Sequence, residues 1–383
     1  MEFDLQWLLI GLPLAFALGW LASRLDLRQL RGERDDSPRA YFKGLNLLLN
    51  EQQDKAIDAF IEAVQNDPDT TELHFALGNL FRRRGEFERA VRVHQHLLER
   101  ADLKAAERDR AQLALAQDYM KAGLFDRAEA AWRALLKTPH HGDAQLALLS
   151  LYERSRDWAN AAAVARELEA EGRGSFSARI AHHECEIAEV LDAKGDTEGA
   201  TAALQRARTA APEAARPLVL SGQRQRRRQH HAEAVAAWDE LRALQPAAFL
   251  LVAPDYADSA RAAGLQAHAL HALEEALKSL PAVELLQALE PLEDATPAER
   301  LPRLLQHLKQ QPTLSAAQLL FSLAPEHWTD EARTALRDAV ARAAKPLQRY
   351  RCANCGFEAQ HYFWQCPGCL AWDSYPPIRI DAL

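Results

Sequence analysis

The chain has 383 residues, 48% of them hydrophobic and 26% charged, with a formal net charge of −8. That balance describes a folded chain of two or three structural units, and its sign counts against nucleic acid as the main partner. Four of the five cysteines crowd into the last stretch of the chain, so this is not a secreted scaffold stapled by disulfides. Cys185, alone on a predicted helix, reads as a small packing residue.

The first predicted element is a membrane anchor. From Leu5 to Ser23 (LQWLLIGLPLAFALGWLAS) 19 consecutive residues carry no charge. As a helix they span roughly 28 Å, close to the hydrocarbon thickness of a bilayer. Trp7 and Trp20 fall near the two ends, where indoles favour the interface. Glu2 and Asp4 precede the stretch, and Arg24, Arg28, Arg31 and Arg34 follow it. The positive-inside rule then places the N-terminus outside and the rest of the chain in the cytoplasm. A cleaved signal peptide has a basic start and a shorter apolar core, which this segment reverses. The reading is an anchor over 1–24 and a juxtamembrane linker over 25–37.

A repeat fills 38–246. KGLNLLLNEQQDKAIDAFIEAVQNDP (43–68) and LGNLFRRRGEFERAVRVHQHLLERAD (77–102) align with Gly44 on Gly78 and Ala56 on Ala90, both 34 apart. The frame returns with Ala116, Tyr119, Gly123, Ala128 and Trp132, shifted by a four-residue insertion around 102–107. It continues with Tyr152 and Ala161, with Ala188, Gly195, Ala200 and Pro212, and with Gly222, Ala234, Trp238 and Pro246. A small residue, an aromatic or leucine, a turn glycine, an alanine and a closing proline are the tetratricopeptide pattern of paired antiparallel helices. One pair cannot bury its own apolar face, so neighbours stack into a superhelix. These residues are read as packing, and none as a catalyst. The basic runs Arg82–Arg84 and Arg226–Arg228 read as solvated faces near helix C-termini.

Residues 247–345 are predicted to be divergent helical pairs. Tyr256, Gly264 and Ala272 mark a degenerate seventh unit. Thr296, Pro297 and Glu299 form a capping box, with Leu301, Leu304, Leu305 and Leu308 following at helical spacing. Thr329 caps the last long helix.

The final segment, 346–383, carries Cys352, Cys355, Cys366 and Cys369 as C-x2-C-x10-C-x2-C. Two CxxC knuckles facing each other make a tetrahedral cage of four sulfurs, and Gly356 and Gly368 supply the permissive backbone that such knuckles need. A redox dithiol requires only one CxxC, placed at a helix start after a strand. A catalytic zinc keeps an open position that four thiolates do not leave. The reading is one closed structural metal site, zinc in preference to iron. His361 has no spacing that requires it as a ligand. Phe357, Tyr362, Phe363, Trp364, Trp372 and Tyr375 are more aromatic surface than a small ribbon buries alone, so part of it is predicted to pack on the repeats. No Ser/His/Asp arrangement, phosphate-binding glycine loop or carboxylate constellation points to an enzyme. The pairs His140–His141, His182–His183 and His230–His231 are adjacent, so each points in two directions.

Anchor, repeats and ribbon in this order resemble the lipopolysaccharide assembly protein B family of Gram-negative bacteria. NEQQDKAIDAF (50–60), LGNLFRRRGEFERAVRVHQ (77–95), DYMKAGLFDRAE (118–129) and the cysteine tail carry the resemblance. It implies an all-α tetratricopeptide-repeat superhelix with an N-terminal transmembrane helix and a small C-terminal rubredoxin-like zinc ribbon. Cys352, Cys355, Cys366 and Cys369 align with the family's metal ligands. The implied role is a non-enzymatic regulator of lipopolysaccharide synthesis at the cell inner membrane, N-terminus periplasmic. It works with the FtsH protease to promote degradation of the UDP-acyl-GlcNAc deacetylase that commits precursor to lipid A. A lipopolysaccharide-sensing inner-membrane partner restrains it. Synthesis and export enzymes are further implied partners, a homodimer is left open, and the alternative is a scaffold for those enzymes with no proteolytic role. Electron transfer through the ribbon is the remaining alternative, disfavoured by the short gap between the knuckles.

Overall fold

The computed structural model describes residues 13–21, 42–67 and 69–380. Residues 13–21 are helical; the rest of the anchor read over 1–24, and the linker read over 25–37, lie outside the described residues. Among the described residues no helix is long and apolar enough to cross a membrane. The chain divides into two compact units, 1–187 and 188–383.

Among the described residues, seven helix pairs share one turn geometry. The pairs are 42–49 with Gln53–Asn66, Thr71–Arg84 with Phe87–Glu99, Ala105–Ala122 with Phe125–Ala134, and His141–Ser155 with Trp158–Ala170. They continue with Ser177–Ala193 and Thr197–Ala210, Ala215–Arg227 and His231–Leu244, and Ala253–Ala262 and Gln266–Ser279. Between the two helices of each pair stands one residue with positive φ: Glu51, Gly85, Gly123, Arg156, Gly195, Gln229 and Gly264. The residue after it closes the first helix by donating its N–H to a carbonyl five residues back. Examples are Glu86 to Phe81 at 2.9 Å, Asp157 to Tyr152 at 2.8 Å and Leu265 to Ala260 at 2.8 Å. This left-handed cap satisfies carbonyls that a helix end otherwise leaves open. Glycine meets the geometry without strain at four of the seven positions, while Glu51, Arg156 and Gln229 adopt it with a side chain.

The same frame sets the packing. The buried alanines Ala56, Ala90, Ala128, Ala161, Ala200 and Ala234 each stand five residues after the turn residue. In the seventh pair that place belongs to Ala269, fully buried, rather than to Ala272, which lies almost one helical turn further on. Seven residues before each turn residue, the first helix places a side chain opposite one sixteen residues later on the second. A methyl built on Gly44 would lie 2.8 Å from the Phe60 ring, and one on Gly78 would lie 2.5 Å from the His94 ring. At Gly222 the same methyl would collide with the Trp238 indole. Ala116 and Trp132, Ala188 and Leu204, and Ala257 and Leu273 hold the same two places and are buried. In the fourth pair the sizes are exchanged, with Leu149 first and Ala165 second, both fully buried. Small against large is thus kept while the order is free, as close packing requires.

The insertion read around 102–107 lengthens one helix. Ala105–Ala122 has 18 residues where Thr71–Arg84 has 14. Four residues are close to one turn, added at the N-terminal end and away from the shared cap.

The end of the helical region follows the capping signals. The Thr296 N–H and hydroxyl both donate to the Glu299 carboxylate, at 2.7 and 2.9 Å. The Thr329 hydroxyl accepts the Ala332 N–H at 3.1 Å and opens Asp330–Ala344. Leu301, Leu304, Leu305 and Leu308 bury into the core of these last helices.

The basic runs lie at helix C-termini as read, with Arg83, Arg84, Arg227 and Arg228 exposed, but one arginine of each run is partly buried against a neighbouring helix pair. Arg82, read as part of a solvated run, is partly buried and bonds Asp118 at 2.8 Å; His94 Nδ1 meets the other Asp118 oxygen at 2.5 Å, with Asp118 and His94 fully buried. Arg226 pairs with Asp255 at 2.9 Å, and Arg224 is buried against Asp192 at 2.5 Å. These arginines join adjacent helix pairs. Cys185 is buried, as a packing cysteine should be. His183 is buried against Glu153 at 2.8 Å while His182 is exposed, so adjacent histidines do face apart.

Candidate metal centre

The ribbon is built from two equivalent turns. Strands β1 (Tyr350–Arg351) and β2 (Glu358–Ala359) pair antiparallel, Tyr350 opposite Ala359 and Arg351 opposite Glu358. They bracket the first knuckle; an antiparallel bridge between Gln365 and Trp372 brackets the second. In the first knuckle the Cys352 N–H donates to the Phe357 carbonyl at 3.0 Å and the Gly356 N–H to the Cys352 carbonyl at 2.9 Å. In the second, the Cys366 N–H donates to Ala371 at 2.9 Å and Leu370 to Cys366 at 2.8 Å. The left-handed position is Gly356, φ 76°, in one knuckle and Leu370, φ 59°, in the other. Gly368 therefore serves a different need from the one read from sequence. A methyl there would press 3.2 Å from the Phe357 Cβ, and its N–H donates to the Cys366 sulfur at 3.4 Å.

The four cysteines converge. Their sulfurs all lie within 4.8 Å of one another, with Cys352 and Cys369 3.8 Å apart and Cys355 and Cys366 3.7 Å apart. Tetrahedral coordination with metal–sulfur bonds near 2.3 Å requires sulfur–sulfur edges of about 3.8 Å. The donor set and its spacing fit one ion. Cys352 and Cys366 are buried, Cys369 is half-buried and Cys355 is exposed. His361 is exposed and outside the cluster.

Polar neighbours favour thiolates. The Ser374 hydroxyl lies 3.3 Å from the Cys352 sulfur, and the Asn354 amide donates to Cys369 at 3.4 Å. The Ser374 contact, helped by the backbone N–H groups of Cys355 and Asn354 against desolvation, brings the Cys352 thiol down to about 6. At Cys355 the Phe357 backbone bond acts in the same direction, but desolvation and the three nearby sulfurs outweigh it and push the thiol up to about 12. Four sulfurs this close hold their negative charge together only around a cation. Tyr375 closes the base of the cage. Desolvation and then the Cys366 sulfur raise its pKa to about 12, so it stays protonated and donates to the Phe357 carbonyl at 3.2 Å.

The aromatic residues mostly serve the ribbon itself. Tyr362 packs edge-on against Tyr350, Trp364 and Tyr375 at centroid distances of 5.5, 5.1 and 6.2 Å, and its hydroxyl donates to the Tyr375 carbonyl at 3.1 Å. Trp364 and Trp372 remain 67% and 68% exposed. The expected packing of this surface on the repeats is thus not made by these two indoles, because the tyrosines fill the ribbon's interior and leave them outside.

Stacked helix pairs with a left-handed cap, ending in a four-sulfur cage, define a tetratricopeptide-repeat protein with a rubredoxin-type metal-binding ribbon. Family models agree, the tetratricopeptide repeat matching 43–104 and 113–176 and the rubredoxin metal binding domain matching 350–376. The chain is 33% identical over 392 residues to lipopolysaccharide assembly protein B of Escherichia coli (strain K12), covering 99% of this chain and 100% of that relative. The Haemophilus influenzae protein of the same name is 27% identical over 407 residues, with 98% of each chain covered. The chain belongs to the lipopolysaccharide assembly protein B family.

Proposed function

We propose that this chain is a non-enzymatic adaptor in lipopolysaccharide assembly, anchored in the inner membrane by its N-terminal segment with the repeats and ribbon on the cytoplasmic side. It promotes degradation of the deacetylase that commits precursor to lipid A by the FtsH protease, under restraint by a lipopolysaccharide-sensing membrane partner. Family membership over the whole chain is the observation that supports this reading. Helix pairs supply binding surface and an anchor raises the effective concentration near membrane partners; a bridge between protease and substrate needs no more. Cys352, Cys355, Cys366 and Cys369 are the ligands of one structural ion, zinc in preference to iron, which when bound ties the two knuckles together. Metal analysis of the purified protein checks the ion: about one zinc per chain and no visible iron chromophore are expected.

The cellular half-life of the deacetylase tests the role. It should lengthen on depletion of this protein, and equally in Cys352→Ser/Cys355→Ser cells in which the variant is still present. An unchanged half-life on depletion would overturn the adaptor reading.

A further inference from the structure

At the end of the seventh repeat, the second unit contains a pocket of 370 Å³ between Gln266–Ser279 and Pro297–Gln310. Its floor is apolar, made by Leu277, Pro281 and Leu286. Leu277 packs against both neighbouring core clusters, so the pocket lies where the core of the repeats gives way to that of the last helices. The cations at its edge are already paired. Arg303 forks onto Glu293 at 2.6 and 2.5 Å, and Lys278 bonds Glu275 at 2.6 Å. Gln306 and Gln310 stand one turn apart on the rim.

His307 stands out among these residues. It is only 5% exposed and lines the pocket; its ring makes no hydrogen bond among the described residues, and its nitrogens are not enclosed like those of His94 and His183 but open on the pocket. Its neighbours on the helix, Leu304, Leu305 and Leu308, are buried leucines, so an apolar side chain would suit its place in the core. A neutral imidazole offers one donor and one acceptor, and here they face the pocket and whatever occupies it. Burial lowers the pKa of His307, with Glu284 opposing weakly, and keeps the ring neutral.

We propose that this pocket is a docking site for a short peptide segment of a partner protein, seating a leucine-like side chain on Leu277, Pro281 and Leu286 while a backbone amide bonds His307. A neutral amide satisfies the neutral ring. A phosphate or carboxylate would find the pocket's cations already neutralised, and a bare acyl chain would leave His307 unpaired. The volume falls at the small end of the range of ligand pockets, and Gln306 and Gln310 on its lining offer further amide donors and acceptors. The assignment rests on the chain acting through protein partners, but it is read out separately from deacetylase turnover. A failed docking test leaves that turnover result untouched, and the reverse also holds.

The probe is N-acetyl-leucine methylamide, titrated into the full-length, metal-loaded protein in detergent and followed by saturation-transfer NMR. Saturable transfer to the leucine methyls is expected at millimolar concentration. It should fall at least fivefold in His307→Leu, which fills the pocket and suits the core, and in Leu286→Gln. His307→Gln, which keeps a donor and an acceptor, should retain part of it. Thermal melts of each variant separate lost binding from lost folding. Transfer that does not saturate, or that is equal in wild type and a folded His307→Leu, overturns the proposal. So does stronger saturable transfer to octanoate, which would make the pocket an acyl-chain site, or to acetate, which would make it an anion site.

Discussion

At Gly222 the space for a single methyl is already taken by the Trp238 indole. Gly222→Ala should therefore cost about 1–3 kcal/mol by overpacking. Trp238→Leu alone leaves a cavity and frees the Val219 carbonyl that its indole N–H reaches at 3.3 Å. Combined, the two changes recreate the alanine–leucine pairing found at Ala188–Leu204 and Ala257–Leu273. Urea unfolding should show the double variant more stable than the sum of the two single losses. Strict additivity would refute the size-complementarity account. Asp118 offers a second test. Asp118→Ala would leave Arg82 and His94 facing a buried vacancy, and breaking such a pair costs about 3–5 kcal/mol. The same urea titration measures it, and a loss below 1 kcal/mol would mean that the cluster is solvated. Sequence patterning did not reveal this cluster, because an aspartate on a helix reads as a solvated residue. The signal was His94, which occupies the place that Phe60, Trp132 and Trp238 fill elsewhere; a polar side chain in a core slot implies a buried partner. His307 escaped notice in the same way, since its helix reads as an apolar stripe.

Individual elements are joined by exposed pairs whose strength depends on pH. His141 opens the first helix of the fourth pair. Its Nε2 lies 3.1 Å from a Glu171 oxygen and its Nδ1 2.7 Å from the Leu136 carbonyl. The Glu171 contact, then the Leu136 carbonyl, raises the His141 pKa above 6.5. His141, then Gln145 and Arg173, lowers the Glu171 carboxyl from 4.5 to about 2. The histidine's contribution is complete below 6.5 and is lost as pH rises through its raised folded value. The carboxylate's contribution is complete above 4.5 and is lost as pH falls toward 2. Melting temperatures of wild type and His141→Gln should differ most between these limits, at pH 4.5–6.5. The gap should narrow on either side and shrink with added salt; a gap that is flat with pH would rule the pair out. At this scale the sequence was most informative about boundaries. Thr296, Glu299 and Thr329 announced their helices through cap chemistry confined to four residues. The seventh pair was displaced by three residues because Ala269 and Ala272 are both buried alanines, and only the turn at Gly264 tells them apart.

Across the whole molecule, two kinds of stability coexist. The repeats hold through stacked apolar faces, whereas the ribbon's buried cluster is little more than Cys352, Cys366 and Tyr375 with a few partly buried neighbours. A bound metal, which contributes on the order of 10–16 kcal/mol in small metal domains, would then decide whether the ribbon folds. A chelator strong enough to strip the site should change the fluorescence of the tryptophans, Trp364 and Trp372 among them, and leave far-ultraviolet helicity within a few per cent of its starting value. Loss of helix in parallel would show that the repeats depend on the ion. The four cysteines were legible because metal geometry fixes their spacing. The anchor stays a reading from composition: only 13–21 of it is described, and no described helix is long and apolar enough to cross a membrane. The pocket beside His307 was not legible, because it arises where the last repeat helix meets helices that no longer follow the repeat. The exchanged pair Leu149–Ala165 has a consequence for recombination. A chimaera cut at the shared turn and joined to another unit would set leucine against phenylalanine or tryptophan, or alanine against glycine. Either join gives a clash or a void, although every turn has the same shape. Cuts between units keep each pair intact, so this chain exchanges whole hairpins more readily than single helices.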